Sequence, residues 1–249
     1  MTDRPGGMPR TLSCYVVNLR RRPDRRAQVA AQLPPAMAVS YTSDWDVEID
    51  GAELNHTDLR RSGIGLFPWK IESDNEWWGR PLKWGEVGCT VAHLACWRAA
   101  VEEGVDHAVI IEDDAVVPGG FESALRSALL PLDRSEAFDL LYLGRFPLEP
   151  DRPTKWTGVV EPGYSHCSFG YILTRHGLQE VLATQLQDSV IPVDEFLPAM
   201  YLPHPRADVR ARFPPRLRAL ALEPPLVRQR PKDEAGSDTE ASEFVPPPG

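Results

Sequence analysis

The sequence predicts an α/β fold, a mostly parallel sheet flanked by helices, and three observations carry that expectation. Short apolar runs recur as strands, at Thr11–Leu19, Ala108–Ile111 and Asp139–Arg145. Segments with helical spacing separate them, so strands alternate with helices as in βαβ units. The runs are also continuous, which suits strands covered on both faces.

A chain of 249 residues suits one large α/β domain. One domain over residues 11–229 is expected, with 1–10 and 230–249 as flexible termini; "PKDEAGSDTEASEFVPPPG" at the end holds almost no core residues. The net charge of −9 argues against a nucleic-acid partner. No apolar run reaches the roughly 20 residues of a membrane span. Met1–Arg10 lacks the apolar core of a signal peptide, so a cytoplasmic location is expected. Cys14, Cys89, Cys96 and Cys167 fall outside any C-x-x-C pair, which suggests neither zinc nor disulfides. Free thiols, packed as small hydrophobes, are expected.

In chain order, the first strand, "TLSCYVVNL", leads to a helix that starts at Pro23 and ends before Pro34 and Pro35. The basic run "RRRPDRR", Arg20–Arg26, either meets phosphates or is a solvated helix start. Residues 40–81 are irregular, and the aromatic-rich stretch at their end holds Trp69, Trp77, Trp78 and, just beyond, Trp84, which either plug a core or form a platform for a sugar. A helix over Glu86–Glu103 follows, closed by Gly104. Its apolar stripe is Val87, Val91, Leu94 and Val101. Glu86, Thr90, His93 and Trp97 make a second stripe, which puts His93 beside the core as a satisfied imidazole or a site residue. An amphipathic helix near Phe121–Leu130, the strand at Asp139–Arg145, then "HCSFGYILTRHGLQEVLA" as strand and helix complete the assignable part. Gly170 inside that strand marks a bulge or a close ligand approach.

The stretch "HAVIIEDDAVV" ends an apolar strand in Glu112, Asp113 and Asp114. Like charges side by side repel unless something positive sits among them. Ligands bind at the carboxyl ends of strands in open α/β sheets, and carboxylates there suit Mg²⁺ or Mn²⁺ together with substrate phosphates. Solvated capping residues are the competing explanation.

Six ordered blocks extend the comparison: "YVVNLRRRPDRR", "RPLKWGEVGCTVAHLACW", "VIIEDDA", "DLLYLGR", "SFGYILTRHGL" and "IPVDEFLPAMYLPHP". In these the chain resembles glycosyltransferase family 25, which includes lipopolysaccharide galactosyltransferases and collagen hydroxylysine galactosyltransferases. The resemblance implies a GT-A fold, a Rossmann-like nucleotide-binding layer whose D-x-D type motif holds Mn²⁺ (or Mg²⁺) and a UDP-sugar. It implies inverting transfer, usually of galactose, to an acceptor hydroxyl; transfer to water, or sugar binding without chemistry, are the rival readings.

Carried onto this sequence, Glu112, Asp113 and Asp114 become the acidic motif, with Asp114 foremost for the metal and Asp113 for metal or ribose. Asn18, Leu19, Arg22 and Arg25 fall beside the nucleotide. Arg80 or Lys83 pairs with the diphosphate, while Glu86 and His93 orient hydroxyls. "PVDEF" supplies Asp194 and Glu195, with Asp194 favoured as the base that removes the acceptor proton and sugar-hydroxyl binding as its rival role. His204 is a further metal ligand or a structural histidine. The collagen enzymes are two-domain secretory-pathway proteins, whereas this chain reads as one domain resembling their second. "HCS" at His166–Ser168 and "GRF" at Gly144–Phe146 also depart from the family pattern, which leaves the acceptor open.

Overall fold

Strand β1 (Ser13–Val17) pairs in parallel with both β2 (Ala38–Tyr41) and β3 (His107–Glu112) in the computed structural model, which describes residues 12–132 and 138–247. The N-terminal segment 1–10, expected to be flexible, lies outside the described residues. Strand β4 (Ala115–Val116) leaves this layer to pair with β10 (Arg228–Gln229). The main sheet continues through β5 (Leu140–Pro147), β6 (Arg152–Pro153), β7 (Val159–Glu161), β8 (Ser165–Thr174) and β9 (Ala219–Leu222) in the order β2-β1-β3-β8-β5-β9-β7-β6. Six of these eight strands point one way, and β7 and β8 run against them. The sheet is thus mostly parallel, as expected. An apolar run carries no direction, so the antiparallel β8 between β3 and β5 is not legible in composition.

Alternation along the strands builds two cores. In β3, Ala108 and Ile110 join the core with Val87, Val91 and Leu94 of α3 (Trp84–Glu102). Val109 and Ile111 pack on the other face with Val29 of α1 (Pro23–Ala30) and Phe121 and Leu125 of α4 (Phe121–Leu129). Successive strand side chains point to opposite faces, so a strand covered on both sides is apolar throughout. The α3 face also receives α5 (Arg175–Ala183) and α6 (Val193–Ala199), through Leu178, Val181 and Phe196.

Helix α3 is buried around most of its circumference, so both of its expected stripes are inside. Val101 is the exception, and it is exposed in the last turn. Trp69 and Trp84 plug the α3-side core, and of the four expected tryptophans only Trp77 lines the cleft described below. Gly170 accommodates the protein's own chain rather than a ligand, because a Cβ there would lie 3.2 Å from Val227. No helix among the described residues is long and apolar enough to cross a membrane.

The C-terminal stretch differs from the flexible tail expected beyond residue 230. It forms α8 (Lys232–Ala235) and α9 (Asp238–Ala241), numbered here after the short helices α2 (His56–Arg61) and α7 (Ala207–Arg212). Val245 is buried, and its N–H donates to Leu82 O at 2.7 Å. A Cβ on Gly85 would come within 2.6 Å of Thr239 Cα, so the tail lies directly on the first turn of α3. Composition under-reads this tail because its anchors are mostly backbone and charged groups.

Candidate active site

Parallel register places the chain after β1 beside the acids that end β3. Val17 is opposite Glu112, and Asp113 N–H donates to Val17 O at 3.1 Å. The two strand ends open into a cleft of about 270 Å³ lined by Asn18, Leu19, Arg21, Arg25, Glu112, Asp113, Asp114 and Asp194, among others. Seven carboxylates line it against three cationic side chains, Arg21, Arg25 and Lys232. That surplus of negative charge favours a cationic guest.

The alternation of β3 continues past its end and resolves the repulsion among the three acids. Glu112 follows Ile110 towards α3, where its Oε1 lies 3.5 Å from His93 Nε2. Asp113 follows Ile111 towards α1 and is buried against Arg25, with Oδ1 3.1 Å from the guanidinium. Its Oδ2 accepts from Asn18 Nδ2 at 2.7 Å. Asp114 takes a third direction, because pairing of β4 with β10 brings Gln229 Nε2 to 3.0 Å from its Oδ2. Asp114 Oδ1 is left buried with no hydrogen-bond partner among the described residues.

These surroundings assign the acids different roles. Both oxygens of Asp113 already have partners, Arg25 and Asn18, although the residue also lines the cleft. Asp114 keeps the free oxygen. Burial pushes the Glu112 carboxyl up to about 8, helped by the charges of Asp194 and Asp113. Burial likewise raises Asp113 to about 6 against the lowering effect of Asn18 and Arg25, and raises Asp114 to about 6 with Glu112 adding to it.

An acid whose folded pKa is raised holds its proton more tightly in the native state. Native stability therefore falls as pH climbs from the unfolded value towards the folded one. Urea unfolding at pH 6 and pH 8 is expected to show a loss of stability on the alkaline side that Glu112→Gln reduces. An equal loss in that variant would refute the assignment.

Several expected site residues serve the scaffold instead. Arg80 does not reach the cleft: it forms a two-pronged pair with Glu86, at 2.7 and 3.1 Å, and lies 3.9 Å over the Trp77 ring. Glu86 lines the cleft, but its carboxylate is engaged by that pair and by capping Lys83 N–H at 2.8 Å. Lys83 donates from Nζ to Glu240 O in the tail. His93 sits behind Glu112, fully buried, with Nδ1 2.7 Å from the Tyr171 hydroxyl. Burial lowers its pKa to about 4, so it is neutral.

"PVDEF" divides in the same way. Asp194 lines the cleft, and its Oδ1 accepts from Ser168 N–H at 3.0 Å. Glu195 points inward, where it accepts from the Tyr164 hydroxyl and from His204 Nε2 at 2.7 Å, with His166 Nε2 in ionic contact at 3.2 Å. Burial alone would raise Glu195; the bonds from His166, His204 and Tyr164 outweigh it and hold it at about 2. A carboxylate so engaged is a poor base. His204 is not a metal ligand: Nδ1 accepts from Arg206 N–H at 3.0 Å, and Nε2 donates to Glu195.

Arg22 does not line the cleft, yet it helps to form a cluster that the sequence reading missed. Asp238 of the tail pairs with Arg21 at 2.5 Å, Arg22 at 2.6 Å and Arg25 at 3.4 Å. Arg25 also donates to Ala235 O and Gly236 O at 2.8 and 2.9 Å. Arg21 belongs to the basic run Arg20–Arg26, but Gln229 and Asp238 carried no signal because their partners are distant in sequence. Glu86 did carry a signal, since a Glu three residues after the N-cap is half of a capping box.

Comparison with known proteins supports the same blocks. A profile of the family described as "Glycosyltransferase family 25 (LPS biosynthesis protein)" matches residues 11–153. The probable inactive glycosyltransferase 25 family member 3 of Bos taurus is 34% identical over 246 residues, covering 92% of this chain and 39% of the relative. Procollagen galactosyltransferase 1 of Danio rerio is 32% identical, covering 86% of this chain and 35% of that protein. Procollagen galactosyltransferase 2 of Homo sapiens is 30% identical, covering 86% and 34%. This chain therefore spans well under half the length of these curated relatives. With more than half of its residues matched, across β1, α3 and the acid-ended β3 that build the cleft, the chain belongs to glycosyltransferase family 25.

Proposed function

We propose that the chain is an inverting, metal-dependent hexosyltransferase. It moves a sugar, galactose foremost, from a UDP-sugar to a hydroxyl of a glycan, a hydroxylated peptide or a small metabolite. The observation that carries the reading is Asp114 Oδ1, a buried carboxylate oxygen with no partner in an acid-rich cleft. Such an atom suits a hard divalent cation, Mn²⁺ or Mg²⁺. When bound, that ion offsets the charge growing on the departing diphosphate. Galactose is favoured by the names of the procollagen galactosyltransferase relatives.

The protein's own groups divide the remaining work. Arg21 and Arg25 form the phosphate-binding edge, where Asp238 now occupies an anionic position, so donor binding exchanges one anion for another. Asn18 Oδ1 and Arg25 Nε are buried without hydrogen-bond partners among the described residues, and both suit polar groups of the donor. Asp194, oriented by Ser168 N–H, takes the proton of the acceptor hydroxyl as its oxygen attacks the anomeric carbon opposite UDP. Asp194→Asn is expected to lower kcat by roughly 10²–10⁴-fold with little change in acceptor KM. Raised KM with kcat retained would instead assign Asp194 to hydroxyl binding.

A second reading has a specific basis, because the 34% identical Bos taurus relative is named as probably inactive. In that reading the cleft binds a nucleotide sugar without transferring it. A screen of UDP-sugars with Mn²⁺ separates the cases. Acceptor-dependent UDP release supports transfer, and acceptor-independent release means hydrolysis. Cation-dependent UDP binding without release means a binding protein; no binding at all would overturn both readings.

A further inference from the structure

Cys89 and His93 are four residues apart on α3 and so share one face of the helix. Glu112 reaches the same spot from the end of β3. A sulfur, an imidazole nitrogen and a carboxylate oxygen from these three side chains all lie within 4.8 Å of one another. His93 Nε2 is fully buried, has no hydrogen-bond partner among the described residues and lies 3.5 Å from Glu112 Oε1. An imidazole nitrogen left unpaired inside a protein costs free energy, and this one faces the Glu112 carboxyl.

We infer that Cys89, His93 and Glu112 form an inner metal site for a borderline-soft divalent ion, of which Zn²⁺ is the best match. Thiolate and imidazole select zinc-like ions, whereas the all-oxygen surroundings of Asp114 suit Mg²⁺ or Mn²⁺. Three protein ligands with a fourth position open to a cleft is the arrangement of reactive zinc sites. Cys89 and Glu112 line the cleft and His93 closes the site from behind.

The supporting shell is already built. Tyr171 Oη accepts from Trp97 Nε1 at 2.9 Å and lies 2.7 Å from His93 Nδ1. In the metal-bound state Nδ1 carries the ring hydrogen and donates it to Tyr171, which leaves the Nε2 lone pair for the ion. The Cys89 proton, together with the proton that the raised Glu112 carboxyl carries near neutral pH, passes to solvent as the sulfur–metal and oxygen–metal bonds form. Without an ion, burial and the charges of Glu112, Asp194 and Asp114 hold the Cys89 thiol well above its ordinary range. The spacing of the cysteines gave no zinc signature because only one of the four takes part.

The site stands apart from the transferase reading, and its test does not use turnover. The metal-stripped full chain is titrated with Co²⁺ as a spectroscopic probe and then with Zn²⁺ in competition. A thiolate-to-cobalt charge-transfer band at one equivalent, displaced by Zn²⁺, is expected. Cys89→Ser should abolish the band, and both Cys89→Ser and His93→Gln should weaken Zn²⁺ binding at least tenfold. Cys167→Ser and Asp114→Asn should retain the band. Absence of the band in folded wild-type protein, its survival in Cys89→Ser or its loss in Cys167→Ser would overturn the site. If Cys89→Ser fails to fold, X-ray absorption of the Zn²⁺-loaded wild type decides: one sulfur in the metal shell supports the site, and a sulfur-free shell refutes it.

Discussion

Asp114→Asn is expected to lower sugar transfer by roughly 10²–10³-fold, the scale seen when one preorganised electrostatic contact to a transition state is removed. The domain should remain folded. Asparagine keeps the acceptor that meets Gln229 at 3.0 Å but replaces a raised-pKa carboxylate with a neutral amide. It also removes one of the charges repelling Glu112, so the metal-free protein should unfold at an equal or higher temperature than wild type. Loss of turnover with retained or increased thermal stability is the signature of a group kept for binding rather than folding. Wild-type turnover in saturating Mn²⁺, or a marked fall in unfolding temperature, would count against this role.

The opposite outcome is expected at Glu195. Its carboxylate is only 2% exposed, accepts from Tyr164 and His204, and has the part-exposed His166 in ionic contact. Glu195→Ala leaves the buried Tyr164 and His204 without their acceptor and is expected to cost about 3–5 kcal/mol, the range for breaking a buried charged pair. Since about 1 kcal/mol moves the midpoint of a domain this size by roughly 2–4 °C, the drop should be on the order of 10 °C. Glu195→Gln should recover part of it, because an amide oxygen still accepts. The bonds that hold Glu195 at about 2 stabilise the fold above the unfolded carboxylate pKa, and that contribution disappears as pH falls towards 2. A folded Glu195→Ala protein with wild-type stability and no activity would return Glu195 to the chemistry.

The contrast between Asp194 and Glu195 shows what the sequence could and could not disclose. The apolar runs of β1 and β3, the start of α1 at Pro23 and the three acids were legible because each rests on local spacing or a strand end. Which neighbour of "DE" faces the cleft depends on the pitch of α6, a seven-residue helix whose start the spacing did not reveal. The family resemblance put Arg80 or Lys83 on the diphosphate, yet one is matched within the segment by Glu86 and the other by the tail. For His204 the sequence left a metal ligand and a structural histidine open, and its two nitrogens meet Arg206 N–H and Glu195. The tail was missed for a simpler reason: Arg22 and Asp238 are 216 positions apart, and no window of sequence joins them.

The sorting of Glu112 and Asp113 to opposite sides of β3 makes the cleft a readout of strand parity. One residue inserted or deleted between His107 and Ile111 would exchange odd for even positions. The carboxylate now against Arg25 would turn to the imidazole, and the one against the imidazole would meet the guanidinium. Both cores would trade faces at the same step. Length changes in this family member should therefore be tolerated in its loops but not in β3, where counting from the first apolar residue to the first acid fixes the chemistry as firmly as the acids themselves.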